Sequence, residues 1–234
     1  MLQEQVISAS TLSLLTELSK DEKLQSFYLV GDTALALQLG HRKSEGIDLH
    51  TANDIDTIYL NAYLSQKYSF SQTYVAENTL KGDIAGVKVD MISFPYRMIR
   101  PLVIEEGIRL ASIEDIVAMK LSAIAQNGSR LKDFVDVAYL STIMSLSDMV
   151  GCYAEKFVNS NPAIPMKAIT YFNDINFKES IVMVNAKYRW GDIERRIISM
   201  ERNPGKIFPM PPLSLNSSME EDDGIKPVCR GWWR

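Results

Sequence analysis

Residues 27–51, FYLVGDTALALQLGHRKSEGIDLHT, restrict what this chain can fold into more than any other stretch. The apolar run Phe27-Tyr28-Leu29-Val30 predicts a short buried strand that stops at Gly31. Asp32 and Thr33 then open a helix that carries Ala34, Leu35, Leu37 and Leu39 and ends at Gly40. After a polar turn, Ile47-Asp48-Leu49 predicts a second short strand. Neighbours on a strand face opposite ways, so Ile47 and Leu49 enter a core while Asp48 faces out. Strand, glycine turn, helix start and a carboxylate on the next strand together suit phosphate and metal. Backbone N–H groups at a helix start attract phosphate, and a carboxylate beside them can hold the magnesium that accompanies it.

The rest of the chain supplies a sheet and then helices. Residues 5–19 carry apolar side chains at mostly helical spacing, and residues 57–66 predict a helix on one face of a sheet. Residues 69–80 and 84–94 read as two strands joined by a turn near Lys81-Gly82-Asp83. In the second, Val87, Val89 and Met91 alternate with Lys88 and Asp90, so Asp90 leaves the apolar face as Asp48 does. Pro95 closes that strand, and Pro101 lies in an irregular link. Ser112 is placed as the N-cap of a helix whose apolar stripe is Ile113, Ile116, Val117 and Ile124. Lys120 falls inside that stripe, where it must snorkel out, pair, or reach into a cleft, because a buried lone ammonium is costly. Asn127-Gly128-Ser129 breaks the helix. Residues 132–146 form the next one, apolar nearly all round and hence central. Further helices are expected at about 148–159, 165–171 and 190–202.

The fold class is therefore α/β (α+β), with a small mixed-sheet lobe over residues 1–100, a helical lobe over 101–207 and a flexible tail over 208–234. Prolines at 209, 211 and 212 and the acidic run Glu220-Glu221-Asp222-Asp223 mark the tail. Its end, Trp232-Trp233, either docks on the body or a partner or is only an extension.

A net charge of −4 excludes a surface coated for bulk nucleic-acid binding and leaves room for a local basic patch. Two cysteines give neither a disulfide framework nor a metal cluster. The opening residues lack a secretion signal, and no apolar stretch approaches the roughly 20 residues that span a bilayer. A cytoplasmic location with no membrane partner is expected.

Residues 27–51 also resemble the first motif of the AbiEii-type nucleotidyltransferases, the toxin half of abortive-infection toxin–antitoxin pairs. That pattern is a glycine pair, Thr-Ala-Leu, His-Arg, a serine and Asp-x-Asp. Gly31, Thr33-Ala34-Leu35, His41-Arg42, Ser44 and Asp48 match it at the family spacing. Asp32 stands in place of the second glycine and Gly46 in place of the first aspartate. Residues 113–140 resemble the family's downstream motif, Ala-x-Lys-Leu followed by Lys-Asp-x-x-Asp, through Lys120, Lys132, Asp133 and Asp136.

The resemblance implies a nucleotidyltransferase fold in which carboxylates on adjacent strands hold two magnesium ions. Asp48 is then the second aspartate of Asp-x-Asp, and Asp90 a third carboxylate. Lys120 contacts nucleotide phosphates, Asp136 is functionally important, and Lys132 and Asp133 belong to the same motif. The implied reaction moves a nucleoside monophosphate from Mg-NTP to an RNA or protein hydroxyl, and the implied partner is a separate antitoxin. The cleft would have Asp48 and Asp90 on one wall and Lys120, Lys132 and Asp136 on the other. Other readings stand beside these. Asp48 and Asp90 can be solvent-facing strand residues, Lys120 can be an ion-pair partner of the helix aspartates, and Arg42 and Ser44, which match the family loop, can contact phosphate or solvate a turn. Asp32 suits an N-cap better than a replacement charge. His41 is expected to pack or hydrogen-bond, and His50 to end a strand. Gly46 and Asp32 also permit a pseudoenzyme that senses nucleotide or binds protein without transferring anything.

Overall fold

Residues 1–213 are described by the computed structural model. Helix α1 (Ala9–Lys20) starts at Ser8, whose hydroxyl accepts the Thr11 N–H, and it buries Leu14, Leu15 and Leu18. Strand β1 (Tyr28–Val30), helix α2 (Gly31–Leu39) and strand β2 (Ile47–Thr51) follow as the sequence predicts. Helix α2 closes on Gly40, whose φ of 70° needs a residue without a β-carbon. One expectation fails here. The N-cap of α2 is Val30, with extended backbone and no capping side chain, and Asp32 lies inside the first turn. Its carboxylate is engaged elsewhere.

Helix α3 (Thr57–Tyr68), capped by Asp56, leads into β3 (Ser71–Ala76), β4 (Thr79–Ile84) and β5 (Val87–Ser93). The two strands expected here are three, and the turns fall elsewhere. Ala85 and Gly86, at φ 52° and 82°, make the tight β4–β5 hairpin, while Asn78 at φ 56° turns β3 into β4. Gly82 is inside β4. A β-carbon there would lie 2.3 Å from the Phe70 ring and 2.4 Å from the Ser71 carbonyl, so close packing requires this glycine. The irregular link around Pro101 also contains a hairpin, β6 (Val103–Glu105) and β7 (Ile108–Leu110), turned by Glu106 and Gly107 at φ 54° and 81°.

These strands form one mixed sheet in the order β3-β4-β5-β2-β1-β7-β6. The β2–β5 and β1–β7 pairs are parallel and the others antiparallel. Helices α1, α2 and α3 pack on the strands. Residues 103–110 thus belong to the sheet although they lie past residue 100.

Helix α4 (Ile113–Gln126) begins at Ser112, whose hydroxyl accepts the Asp115 N–H. It is followed by α5 (Leu131–Leu140), α6 (Leu146–Lys156), α7 (Ala163–Ala168) and α8 (Trp190–Arg202). The long helix expected over 132–146 ends at Leu140, because Ser145 starts α6 by accepting the Asp148 N–H. Helix α4 packs against α2, α5, α6 and α7. A buried Lys156–Asp115 ion pair at 2.7 Å ties α6 to α4, and Asp115 also accepts the Ile99 and Arg100 N–H groups. Residues 208–213, where the flexible tail was expected to begin, lie on the helices. Phe208 N–H donates to the Ser141 carbonyl, Arg196 donates to the Met210 carbonyl, and Leu213 is buried. The acidic run and Trp232-Trp233 lie outside the described residues. Among the described residues no helix is long and apolar enough to cross a membrane.

Candidate active cleft

The parallel pairing of β2 with β5 sets Asp48 directly beside Asp90, with Val30 of β1 on the other side of Asp48. Both carboxylates line a cleft of about 730 Å³ whose helical wall carries Lys120, Arg130, Lys132 and Asp133. Gly31 is needed where sheet meets helix. Its φ is +69°, and a β-carbon there would sit 2.9 Å from Asp48 Oδ2. Burial raises the Asp48 carboxyl above the usual carboxylate range, and the negative charges of Asp32 and Asp90 raise it further. Asp90 is 4% exposed. Its Oδ2 takes the Lys81 ammonium at 2.7 Å and that of Lys88 at 3.4 Å, while its Oδ1 has no partner among the described residues.

Beneath the helical wall lies a buried charge network. Lys120 pairs with Asp32, with Asp133 at 2.7 Å and with Asp136 at 2.7 Å. Arg42, 1% exposed, grips both oxygens of Asp136, Nε at 2.6 Å and Nη2 at 2.8 Å, and reaches Asp32 at 3.2 Å. His41 Nε2 completes the Asp136 shell at 2.8 Å, and Arg130 approaches Asp32 at 3.4 Å. Burial alone would raise the Asp136 carboxyl, but Arg42 and Lys120 hold it well below the carboxylate range. Asp32 likewise falls to about 2, since Lys120 and Arg42 outweigh its burial. Burial opposes the charge on Lys120, yet Asp136, Asp32 and Asp133 raise its pKa and keep it protonated. At Asp133 burial wins, and the carboxyl is raised in spite of Lys120.

The structure brings most of the expected residues together, in two layers. Gly31, Asp32, Ser44, Asp48, Asp90, Lys120, Lys132 and Asp133 line the cleft. Thr33, Arg42 and Asp136 do not. Thr33 is fully buried and bonds Ser44 Oγ at 2.7 Å and the Gly46 carbonyl at 2.5 Å, which fixes the loop leading into β2. Asp136, expected on the cleft wall, lies behind it with no exposure and anchors Arg42, His41 and Lys120. Arg42, expected to meet phosphate, is spent on that anchor. His41 hydrogen-bonds as expected, and His50 is buried inside β2.

Lys81, Lys88 and Arg130 also line the cleft and were not singled out from sequence. Lys88 was legible, since it lies two residues before Asp90 on the same strand face. Lys81 was hidden because residues 81–83 read as a turn, when in fact Lys81 stands opposite Asp90 across β4–β5.

Two acidic groups compete as a metal centre. Asp32, Asp133 and Asp136 offer ligand oxygens within 4.8 Å of one another. Those three carboxylates already share Lys120, Arg42 and Arg130, so a divalent ion would have to displace a buried ammonium. Asp48 and Asp90 fit the magnesium implied by the first motif better. Asp90 keeps a buried oxygen free, and Asp48 carries a carboxyl that its surroundings disfavour as an anion. A cation would relieve both.

Comparison with known proteins bears on the family and the fold. A family described as the nucleotidyl transferase AbiEii toxin of type IV toxin–antitoxin systems matches residues 65–204, which take in Asp90 and the downstream motif at 113–140 and begin after the first motif at 27–51. A relative from Aquifex aeolicus (strain VF5), the uncharacterized protein aq_aa25, is 30% identical over 154 residues, which are 63% of this chain and 74% of that protein. The nucleotidyltransferase toxin MenT4 of Mycobacterium tuberculosis H37Rv superposes with a TM-score of 0.58 at 12% identity, covering 81% of this chain and 80% of its own. JHP933 from Helicobacter pylori does so with a TM-score of 0.51 at 15% identity, over 85% and 93%. At such identities the two solved structures speak for the fold, a mixed α/β nucleotidyltransferase fold. The chain belongs to the AbiEii nucleotidyltransferase toxin family.

Proposed function

We propose that this chain transfers a nucleoside monophosphate from an NTP to a hydroxyl on RNA or protein, and that the cleft between β2–β5 and α4–α5 is where it does so. The juxtaposition of Asp48 and Asp90 opposite Lys120 and Arg130 carries this reading. Asp48 and Asp90 would hold magnesium, which when bound activates the attacking hydroxyl and neutralises phosphate charge. Lys81, Lys88, Arg130 and Lys132 face the same space and would hold the triphosphate electrostatically. Lys120 is already paired, so its part is to meet phosphate from a position fixed by Asp133 and Asp136. Gly31 leaves room at the start of α2 for the Asp48 carboxylate, which packs over its α-carbon. The acceptor hydroxyl releases its proton to solvent, its oxygen bonds to the α-phosphorus, and the bond from that phosphorus to the β-phosphate oxygen breaks as pyrophosphate departs. An antitoxin encoded separately and a cytoplasmic setting belong to the same reading.

A second reading has its own observation. Gly46 offers no side chain to the metal-binding face, and Lys81 and Lys88 already neutralise Asp90. A nucleotide-sensing or protein-binding module without transfer would keep the same cleft. Label transfer from each α-labelled NTP, with magnesium, to total cellular RNA and protein separates the two. Transfer by the wild type that disappears in Asp48→Ala is the expected result. Transfer by Gly46→Asp and none by the wild type would mean a decayed active site on an intact fold, and silence from all three would favour the binding module.

A further inference from the structure

We infer that the cleft takes one divalent cation, at Asp48 and Asp90, and that the ammonium groups of Lys81 and Lys88 supply the positive charge a second ion would bring to the triphosphate. This rests on the nucleotidyl-transfer reading and sharpens it.

A two-ion centre needs a carboxylate that both ions share. The position for it is residue 46, immediately before β2 and two residues before Asp48, and it is a glycine. Packing does not demand that glycine. A β-carbon there would meet nothing nearer than the Lys88 carbonyl at 3.8 Å, and its backbone is outside the left-handed region. A ligand is missing where there is room for one.

The remaining donors suffice for one ion. Asp48 offers its carboxylate, and Asp90, which lines the cleft, offers Oδ1, a buried oxygen with no partner among the described residues. Phosphate oxygens and water can complete the shell, as magnesium commonly requires. A second ion would have to displace Lys81 from Asp90 Oδ2, and the other carboxylate of the lining outside the buried network, Glu45, lies exposed on the loop before β2. The Asp32–Asp133–Asp136 group cannot serve, being neutralised by Lys120, Arg42 and Arg130.

The two lysines are placed for the substitute role. Lys81 stands across the β4–β5 ladder from Asp90, and Lys88 precedes it on the same face. Their side chains are 33% and 69% exposed, against 5% for Lys120, so both ammonium groups can meet incoming phosphate from their places beside Asp90. Two ammonium groups carry the same total charge as one divalent ion.

Three measurements test the inference on the full chain. Free Mn²⁺ is counted by its electron paramagnetic resonance signal during titration with protein. One Mn²⁺ per chain is expected for wild type, two for Gly46→Asp, and one for Lys81→Gln/Lys88→Gln. Calorimetry with inorganic tripolyphosphate in chelator then reads anion binding with no metal present. The double lysine variant should bind at least tenfold more weakly than wild type, with circular dichroism confirming that it is folded. Two Mn²⁺ ions on wild type, or tripolyphosphate affinity unchanged by loss of the lysines, would overturn the one-ion assignment. If wild type meanwhile still transfers label lost in Asp48→Ala, the proposed reaction survives that failure. Absence of Mn²⁺ binding by wild type and Gly46→Asp alike would remove both.

Discussion

Asp48 holds a carboxyl that burial and two neighbouring carboxylates push upward, while the salt bridges of the cleft go to Asp90, Asp32, Asp133 and Asp136. Its ionised form is therefore a cost to the folded state, present once the pH exceeds the carboxyl's unfolded value and absent below it. Asp48→Asn should raise the melting temperature near neutral pH by about 2–4 °C, the shift that roughly 1 kcal/mol produces in a chain of this size. The gain should vanish as the pH falls below the ordinary carboxylate range, and label transfer should be lost throughout. A lower melting temperature at pH 7 would show that Asp48 is instead paired in solution. Asp136 predicts the opposite. Its carboxylate satisfies Arg42, Lys120 and His41 with no exposure to solvent. Asp136→Asn should cost about 3–5 kcal/mol in urea unfolding, because it leaves buried cations short of charge. An unchanged midpoint would contradict the anchoring role.

Two glycines of the β3–β5 region look alike in sequence and do different work in the fold. Gly86 sits in a hairpin turn at φ 82° with open space around its α-carbon, whereas Gly82 is pressed between Phe70 and the Ser71 carbonyl. Gly86→Ala should cost about 1–2 kcal/mol, the penalty for an L-residue in the left-handed region. Gly82→Ala should cost more, because overpacking forces backbone and Phe70 to move. Chemical unfolding of the two variants would rank them, and the reverse order would mean that β4 bends freely at residue 82. The same pair explains where the sequence misled. A glycine beside a charged residue is a sound turn signal, and no local pattern reveals that a ring twelve residues upstream fills the space over Gly82. Helix starts with a serine cap were legible for the converse reason. Ser112 and the residues it bonds lie within one turn. The β6–β7 hairpin escaped notice because each strand is only three residues long, too short for alternation to register.

The alternation argument gave Asp48 and Asp90 a facing direction, but their adjacency is a property of the parallel β2–β5 pairing, with a helix and two strands of chain between them. Likewise nothing local showed that Asp136 would meet Arg42. That long-range network of buried charge makes the fold depend on pH as a unit. Burial, aided by the Lys156 and Lys81 charges, lowers His50 to about 4, and burial lowers His41 as well. Between the ordinary histidine value of 6.5 and these depressed values, the unfolded chain takes up protons that the folded chain refuses. Stability must then fall as the pH drops from 6.5, by up to about 1.4 kcal/mol per pH unit for each histidine. For His50, whose range ends near 4, the total is about 3 kcal/mol, a large share of the 5–15 kcal/mol typical of a folded domain. Carboxylates extend the loss. Asp32 contributes stability above its unfolded value of 3.8 and loses it as the pH falls toward 2, and Asp136 behaves in the same direction. Urea unfolding at pH 7, 6 and 5 should show a decline that His50→Gln makes about half as steep. A wild-type stability flat across that range would mean that both His50 and His41 take up protons within the fold as readily as in the unfolded chain, and that the core around β2 is open to water.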